Sequence, residues 1–178
     1  MFFKKRNGKG IYPVIVMLFC FFILSNISIA QDQKEGIKWY SMKEAQLLAK
    51  QNGKKVLAYA EASWCVYCKK MDNEVFPKQA IIDSLNAYYY PVRIDIESDK
   101  VMVFNEKKIT QQQFARKLNV RATPTTFFVD KEGNILGGQP GFLSVQTFSN
   151  LLGFVGSGAF QKMDFKLYVQ QHTKTQKK

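Results

Sequence analysis

The sequence is short of the residues on which metal sites and multi-bridge scaffolds depend. Its 178 residues include one histidine and three cysteines. A tetrahedral metal site needs about four ligands, and Cys65 and Cys68 supply two, so no metal is expected. His172 sits in a polar C-terminal stretch and is not expected to be catalytic. No internal repeat or low-complexity segment interrupts the chain. A dense basic run is also missing, despite a net charge of +12. Lys174, Lys177 and Lys178 lie in a polar tail and the other charges are scattered among acids, which describes a solvated face rather than a nucleic-acid site. Attraction to anionic surfaces or acidic partners stays open. With 46% hydrophobic and 14% aromatic residues, the composition excludes a disordered chain and allows one packed core.

What is present begins with the first thirty residues. Lys4, Lys5, Arg6 and Lys9 precede an uncharged run from Val14 to Leu24, followed by Ser28-Ile29-Ala30. Basic start, short apolar middle and small residues at the end are the order of a secretory signal segment, residues 1–30. Cleavage after Ala30 would leave 148 residues starting at Gln31 and, with four positive charges and no negative ones removed, would take the net charge from +12 to +8. The rival reading is an uncleaved membrane anchor, since residues 11–30 approach the roughly 20 needed to span a bilayer. A lipoprotein cut before Cys20 is disfavoured by bulky Phe19 before it and Phe21-Phe22-Ile23-Leu24 after it. Cys20 would leave with the signal, so the mature chain holds only Cys65 and Cys68. An exported compartment permits a disulfide, but closing so short a loop removes little entropy from the unfolded chain. The pair serves chemistry better than bracing. The expected organisation is a signal at 1–30, one domain at 31–170 and a polar basic tail at 171–178.

Along that domain the expected elements alternate. Ile37 to Tyr40 reads as a short strand, and Ser41-Met42-Lys43-Glu44 has capping-box spacing for a helix running to about Asn52, closed by Gly53. Val56 to Ala60 reads as a strand buried on both sides. Helix is expected from Lys69 to about Asn73, interrupted at Pro77, then again around Ile81, Ile82 and Leu85. Tyr88 to Ile94 is a strand. Val101-Met102-Val103-Phe104 before the polar Asn105-Glu106-Lys107-Lys108 suggests a small hairpin, and Thr110 caps a helix reaching Leu118. Thr125 to Val129, the turn 130–134 and Ile135-Leu136 make an antiparallel pair. Ser144 caps a last long helix with Val145, Phe148, Leu151, Leu152 and Val155 inward. Gly156 and Gly158 close it, and a short helix spans Phe160 to Val169. The result is a layered α/β domain with a mixed sheet.

The chemistry concentrates at Trp64-Cys65-Val66-Tyr67-Cys68, where a strand gives way to a helix. Free N–H groups and the positive dipole end at a helix start stabilise a thiolate, lowering the cysteine pKa from about 8.5. Cys65 is the candidate attacker. Cys68, one turn on along the same face, is placed to bond Cys65 and release a mixed disulfide. Lys69 and Lys70 would favour the thiolate, although plain surface lysines are the simpler reading.

Together with Ala122-Thr123-Pro124-Thr125 entering a later strand, these residues resemble the thioredoxin superfamily, whose fold is a central mixed β-sheet flanked by helices. The likeness is nearest to SoxW-type exported thioredoxins, through Lys107-Lys108-Ile109-Thr110, Val120 to Thr125, and Pro140-Gly141-Phe142 leading to Phe154-Val155-Gly156. The run from Trp64 to Lys69 also looks like the C-terminal thioredoxin domain of the DsbD transmembrane reductase. The resemblance implies a cis bond between Thr123 and Pro124 facing the cysteines, with the Thr123 backbone pairing to extended substrate.

Two departures stand out. Val66-Tyr67 replaces the Gly-Pro of typical thioredoxins, so redox poise cannot be carried over. Tyr59 occupies the place, six residues before the first cysteine, where many thioredoxins hold a buried acid. Glu61, on the same strand face, and Asp72, four residues after Cys68, are the candidates to move protons for Cys68, with solvated carboxylates as the alternative. Trp64 is expected to wall off the cysteines and Tyr67 to offer its ring to substrate, with packing as the plain alternative for both.

The resemblance implies an exported, in bacteria periplasmic, thiol-disulfide oxidoreductase acting on client proteins. It would more readily reduce than oxidise, need no cofactor beyond the redox-active Cys65–Cys68 pair, and be recharged by a membrane reductase. Oxidase or isomerase is the runner-up. A non-catalytic binding module built around Pro124 is the reading from another class.

Overall fold

Residues 36–175 are described by the computed structural model of the chain, with side chains as far as residue 172. The expected signal segment or anchor, residues 1–30, lies outside them. Helix α1, Met42–Asn52, begins where the Ser41 side chain accepts the Glu44 N–H at 3.3 Å and ends at Gly53, whose φ of 67° suits a residue without a Cβ. Strand β1, Lys55–Glu61, follows, with Val56 through Ala60 all buried. Helix α2, Val66–Lys70, continues as a π-helical turn, Met71–Val75, closed by the Phe76 N–H donating to the Met71 carbonyl five residues back. A wide turn of this kind often marks a functional site. Helix α3, Gln79–Tyr88, leads into β2, Tyr89–Asp95.

The hairpin β3, Val101–Phe104, and β4, Lys107–Thr110, turns through Asn105 and Glu106, both at positive φ. Thr110 and Gln113 form a reciprocal capping box for α4, Gln111–Lys117. Strands β5, Thr125–Val129, and β6, Ile135–Pro140, precede α5, Val145–Gly156, capped by Ser144. The chain then makes a short 3-10 turn, Ala159–Gln161, and helix α6, Phe165–Thr175. That last helix starts later and runs further than its apolar residues predict. Asp164 supplies the reason, accepting the Leu167 N–H at 2.8 Å as a cap.

The sheet order is β2-β1-β5-β6, with β1 and β2 parallel and the other pairs antiparallel. This is the expected mixed sheet flanked by helices. Alternation along β1 sends Leu57 and Tyr59 to one face, with Ile81, Leu85, Phe148 and Leu152, and Val56, Ala58 and Ala60 to the other, with Met42, Ala45, Ala49 and Phe114. Each buried Leu, Ile or Phe contributes about 1.5–3 kcal/mol.

The strand expected at Ile37 to Tyr40 does not form. Tyr40 donates to the Pro91 carbonyl at 2.9 Å, but β2 is the edge strand and Pro91 has no N–H to extend a ladder. The segment is held by rings instead, Trp39 edge-on to Phe76 and Tyr40 edge-on to Tyr90. Among the described residues no helix is long and apolar enough to cross a membrane.

Candidate active site

Strand β1 delivers the site. Its last residue is Glu61, and after a tight turn in which the Cys65 N–H donates to the Ala62 carbonyl at 3.1 Å the chain enters α2 with Cys65 as N-cap. In place of the hydroxyl or carboxylate usual at a helix start, a sulfur accepts: the Cys68 N–H donates to Cys65 Sγ at 3.0 Å. Cys65 and Cys68 are joined in a disulfide with their Cα atoms 5.2 Å apart. When the bond is reduced, the same N–H and the helix start favour the anionic form of Cys65.

Both cysteines are 3% exposed, whereas Trp64, Val66 and Tyr67 beside them are 60%, 75% and 59% exposed. Trp64 therefore stands out into solvent at the edge of the pair. Tyr67 lies 6.2 Å from the Phe142 ring, and Lys70 Nζ sits 4.8 Å over that same ring while also 3.8 Å from Glu74. Lys70 is thus spoken for by a local ring and a local acid. Phe142 carries no signal of a site residue in the sequence, because nothing local tells an apolar residue after a strand that it will meet a helix some 70 positions earlier.

The Thr123–Pro124 bond is cis. Strand register places the following residue, Thr125, opposite Ala60, so Pro124 enters β5 at the end of the sheet where β1 runs into the cysteine turn. The loop is anchored on both sides: Thr125 Oγ1 donates to the Ala122 carbonyl at 2.6 Å, and the Gly141 N–H donates to the Pro124 carbonyl at 2.7 Å. Gly141 adopts φ of 90°, so that second anchor needs a residue without a Cβ. It also sets the next residue, Phe142, on the helix that carries the cysteines.

Residues just before and just after the cysteines in the chain, Glu61 and Asp72, join a charged cluster. Arg93 of β2 bonds Glu61 through Nη1 and Asp72 through Nη2, the latter at 2.5 Å. Its guanidinium lies 4.2 Å over the Trp39 ring, with Tyr59 and Phe76 next to it. The structure brings both candidate carboxylates to one cation, which neither spacing nor alternation could indicate. Burial pushes the Glu61 carboxyl above its ordinary value, reinforced by nearby Asp72 and opposed by Arg93. At Arg93 burial works against the charge, yet the two carboxylates outweigh it and hold the guanidinium protonated.

Tyr59 fills the place of the missing acid as a fully buried ring. Its hydroxyl has no hydrogen-bond partner among the described residues, and burial, then Asp72 and Glu61, push its ionisation upward. It is no base at neutral pH. Sequence reasoning misses Arg93 and Trp39, although a single arginine inside the apolar run Val92-Arg93-Ile94 is an available signal, since such a residue must find a partner. His172 stacks on Tyr168 with ring centroids 3.9 Å apart and its Nδ1 is 2.9 Å from the Tyr168 carbonyl oxygen, an arrangement internal to α6. No group of three or more His, Cys, Asp or Glu among the described residues could hold a metal ion.

Comparison with known proteins agrees with this geometry. Two curated relatives are each named thiol:disulfide interchange protein DsbD. That of Pseudoalteromonas atlantica is 26% identical over 57% of this chain and 16% of its own length, and that of Actinobacillus pleuropneumoniae 29% identical over 59% and 17%. The chain therefore spans about a sixth of those relatives. A thioredoxin-fold protein from Helicobacter pylori superposes with a TM-score of 0.62 at 21% identity, covering 70% of this chain and 87% of its own, which bears on fold alone. A thioredoxin from Thermus thermophilus superposes at 0.57 with 26% identity, covering 68% and 88%. Residues 42–156, more than half of the chain, match the thioredoxin-like domain, and the protein belongs to that family.

Proposed function

We propose that the protein is an exported thiol-disulfide oxidoreductase that reduces disulfides in client proteins. The observation that carries this is the Cys68 N–H aimed at Cys65 Sγ at the start of a helix, beside a partner sulfur at bonding distance. In the reduced protein the Cys65 thiolate attacks a client disulfide, forming a mixed disulfide and expelling one client thiolate. Cys68 then loses its proton and attacks Cys65 Sγ, closing the Cys65–Cys68 bond and expelling the second client thiolate. Two electrons pass to the client, and a reductase must return them. The DsbD relatives favour a membrane reductase as that donor, and the N-terminal charge pattern together with the SoxW-like stretches favours a bacterial periplasm as the compartment.

Within this reading Cys65 and Cys68 are catalytic. Thr123 and Pro124 take the backbone of an extended client, Trp64 and Tyr67 meet its side chains, and Glu61 and Asp72 serve the proton of Cys68. Insulin reduction tests it: wild type turns over, Cys65→Ser is dead, and Cys68→Ala accumulates mixed disulfides. Inactivity of wild type with a pre-reduced dithiol would leave the exposed rim around Pro124 as a binding surface instead. Equilibration with glutathione fixes direction, since a potential well above about −180 mV would make the protein an oxidase or isomerase.

A further inference from the structure

Arg93 has a role to fill that rests on the dithiol reading above. Half-buried carboxylates are ordinarily kept apart or protonated, because two like charges close together raise each other's pKa. Here Glu61 and Asp72 come from different elements, the end of β1 and the π-helical turn, and converge on one guanidinium. The cluster borders the cysteines on both sides along the chain. Glu61 precedes Ala62, which packs with Cys65, Cys68 and Ile96, and the Ile96 N–H donates to the Glu61 carbonyl at 3.0 Å. Asp72 follows Cys68 by one helical turn.

Arg93 is in turn held from outside the matched family region. Trp39, three residues before that region starts, lies against the guanidinium and edge-on to Phe76. A stacked arginine keeps its charge while shedding water, and its planar fork holds two carboxylates in a fixed geometry that the rotatable point charge of a lysine does not impose.

We infer that Arg93, stacked under Trp39, is a positioning residue that holds Glu61 and Asp72 together as a cluster of net charge −1 behind the dithiol and so sets the pH at which the cysteines ionise. The charged and titratable groups facing it are Glu61 and Tyr59 from β1 and Asp72 from the π-helical turn, with Asp95 of its own strand acting on Glu61; the two cysteines adjoin the cluster through Ala62, the neighbour of Glu61 that packs against them. Lys70 pairs with Glu74 and the Phe142 ring, away from this cluster. Without the guanidinium, the cysteines ionise beside two uncompensated carboxylates in place of a cluster of net charge −1. Their thiolate becomes harder to form.

The test is the rate of iodoacetamide alkylation of the reduced protein against pH, which reads thiolate directly and needs no client. Arg93→Met is expected to move the midpoint upward by about one pH unit, slowing alkylation at pH 7 roughly tenfold, the size of effect an uncompensated charge at a partly exposed site can produce. Arg93→Lys, keeping the charge but not the fork, should recover part of that shift. Arg93→Met combined with Glu61→Gln restores a net charge of −1 and is expected to return the midpoint toward wild type, an outcome a purely structural role would not give. Trp39→Phe, which keeps a ring under the guanidinium, should move the midpoint less than Arg93→Met. If Arg93→Met does not fold, the Lys variant and the double variant decide. Profiles superimposed on wild type in every folded variant, or a double variant shifted as far as the single one, overturn the proposal. Failure of wild type to reduce insulin would sink the enzyme reading without altering these titrations.

Discussion

The two sides of the dithiol invert the usual distribution of polarity. On the rim, Trp64, Val66 and Tyr67 are apolar or aromatic and stand mostly in solvent, while Glu61 and Asp72, which flank the cysteines in the chain, and their partner Arg93 are charged and largely withdrawn from it. Ordinary folding energetics favours the reverse on both sides. An apolar rim is useful to a surface that must meet other proteins, and a charged floor is useful to sulfur atoms that must gain and lose protons. Local stability has been given up on each side, and in the proposed exchange each side would serve a different step.

Variants can break that contrast. The largest expected effect on stability is at the floor's packing. Phe76 is buried and sits edge-on to Tyr59, Trp39 and Phe148, so Phe76→Ala should lose about 3–5 kcal/mol in thermal or urea unfolding. Next comes the pH dependence of the floor. Glu61 has a folded pKa above its ordinary 4.5, so it favours folding most below that value and its contribution is lost as pH rises through the raised one. Glu61→Gln should therefore flatten the decline in stability on the alkaline side of pH 4.5, read from urea unfolding at a series of pH values.

Tyr59→Phe sharpens the contrast at smaller scale. It removes a buried hydroxyl with no hydrogen-bond partner among the described residues while keeping the ring, and is expected to be neutral or to stabilise by up to about 1 kcal/mol in denaturant melts. The smallest stability effect belongs to the rim. Tyr67→Ala should change unfolding by no more than about 0.5 kcal/mol, yet raise the KM for insulin reduction. A Tyr67 variant that unfolds easily, or a Phe76 variant that does not, would erase the distinction between the two sides.

Much of the fold is legible in the chain alone. The caps at Ser41, Thr110 and Ser144 are chemical signals that act within four residues, and all three open helices where they should. The strand pair around Asp130 to Asn134 and the turn at Asn105-Glu106 are likewise local. The failure at Ile37 to Tyr40 has a distant cause, a proline on the strand it would have joined. The late start of α6 at Phe165 reflects a local cap, Asp164, masked by apolar residues that continue through it.

By itself, the sequence determined where the sulfur atoms are and that they open a helix, because periodicity, capping and spacing are properties of neighbours along the chain. Only the tertiary structure decided which distant residues meet near them. Arg93 gathers Glu61 and Asp72 from separate elements under a ring at position 39, and Phe142 reaches the cysteine helix through the Gly141 anchor on Pro124. Coulomb attraction and ring stacking act through space, so contacts between residues far apart in the chain leave no period in it to read.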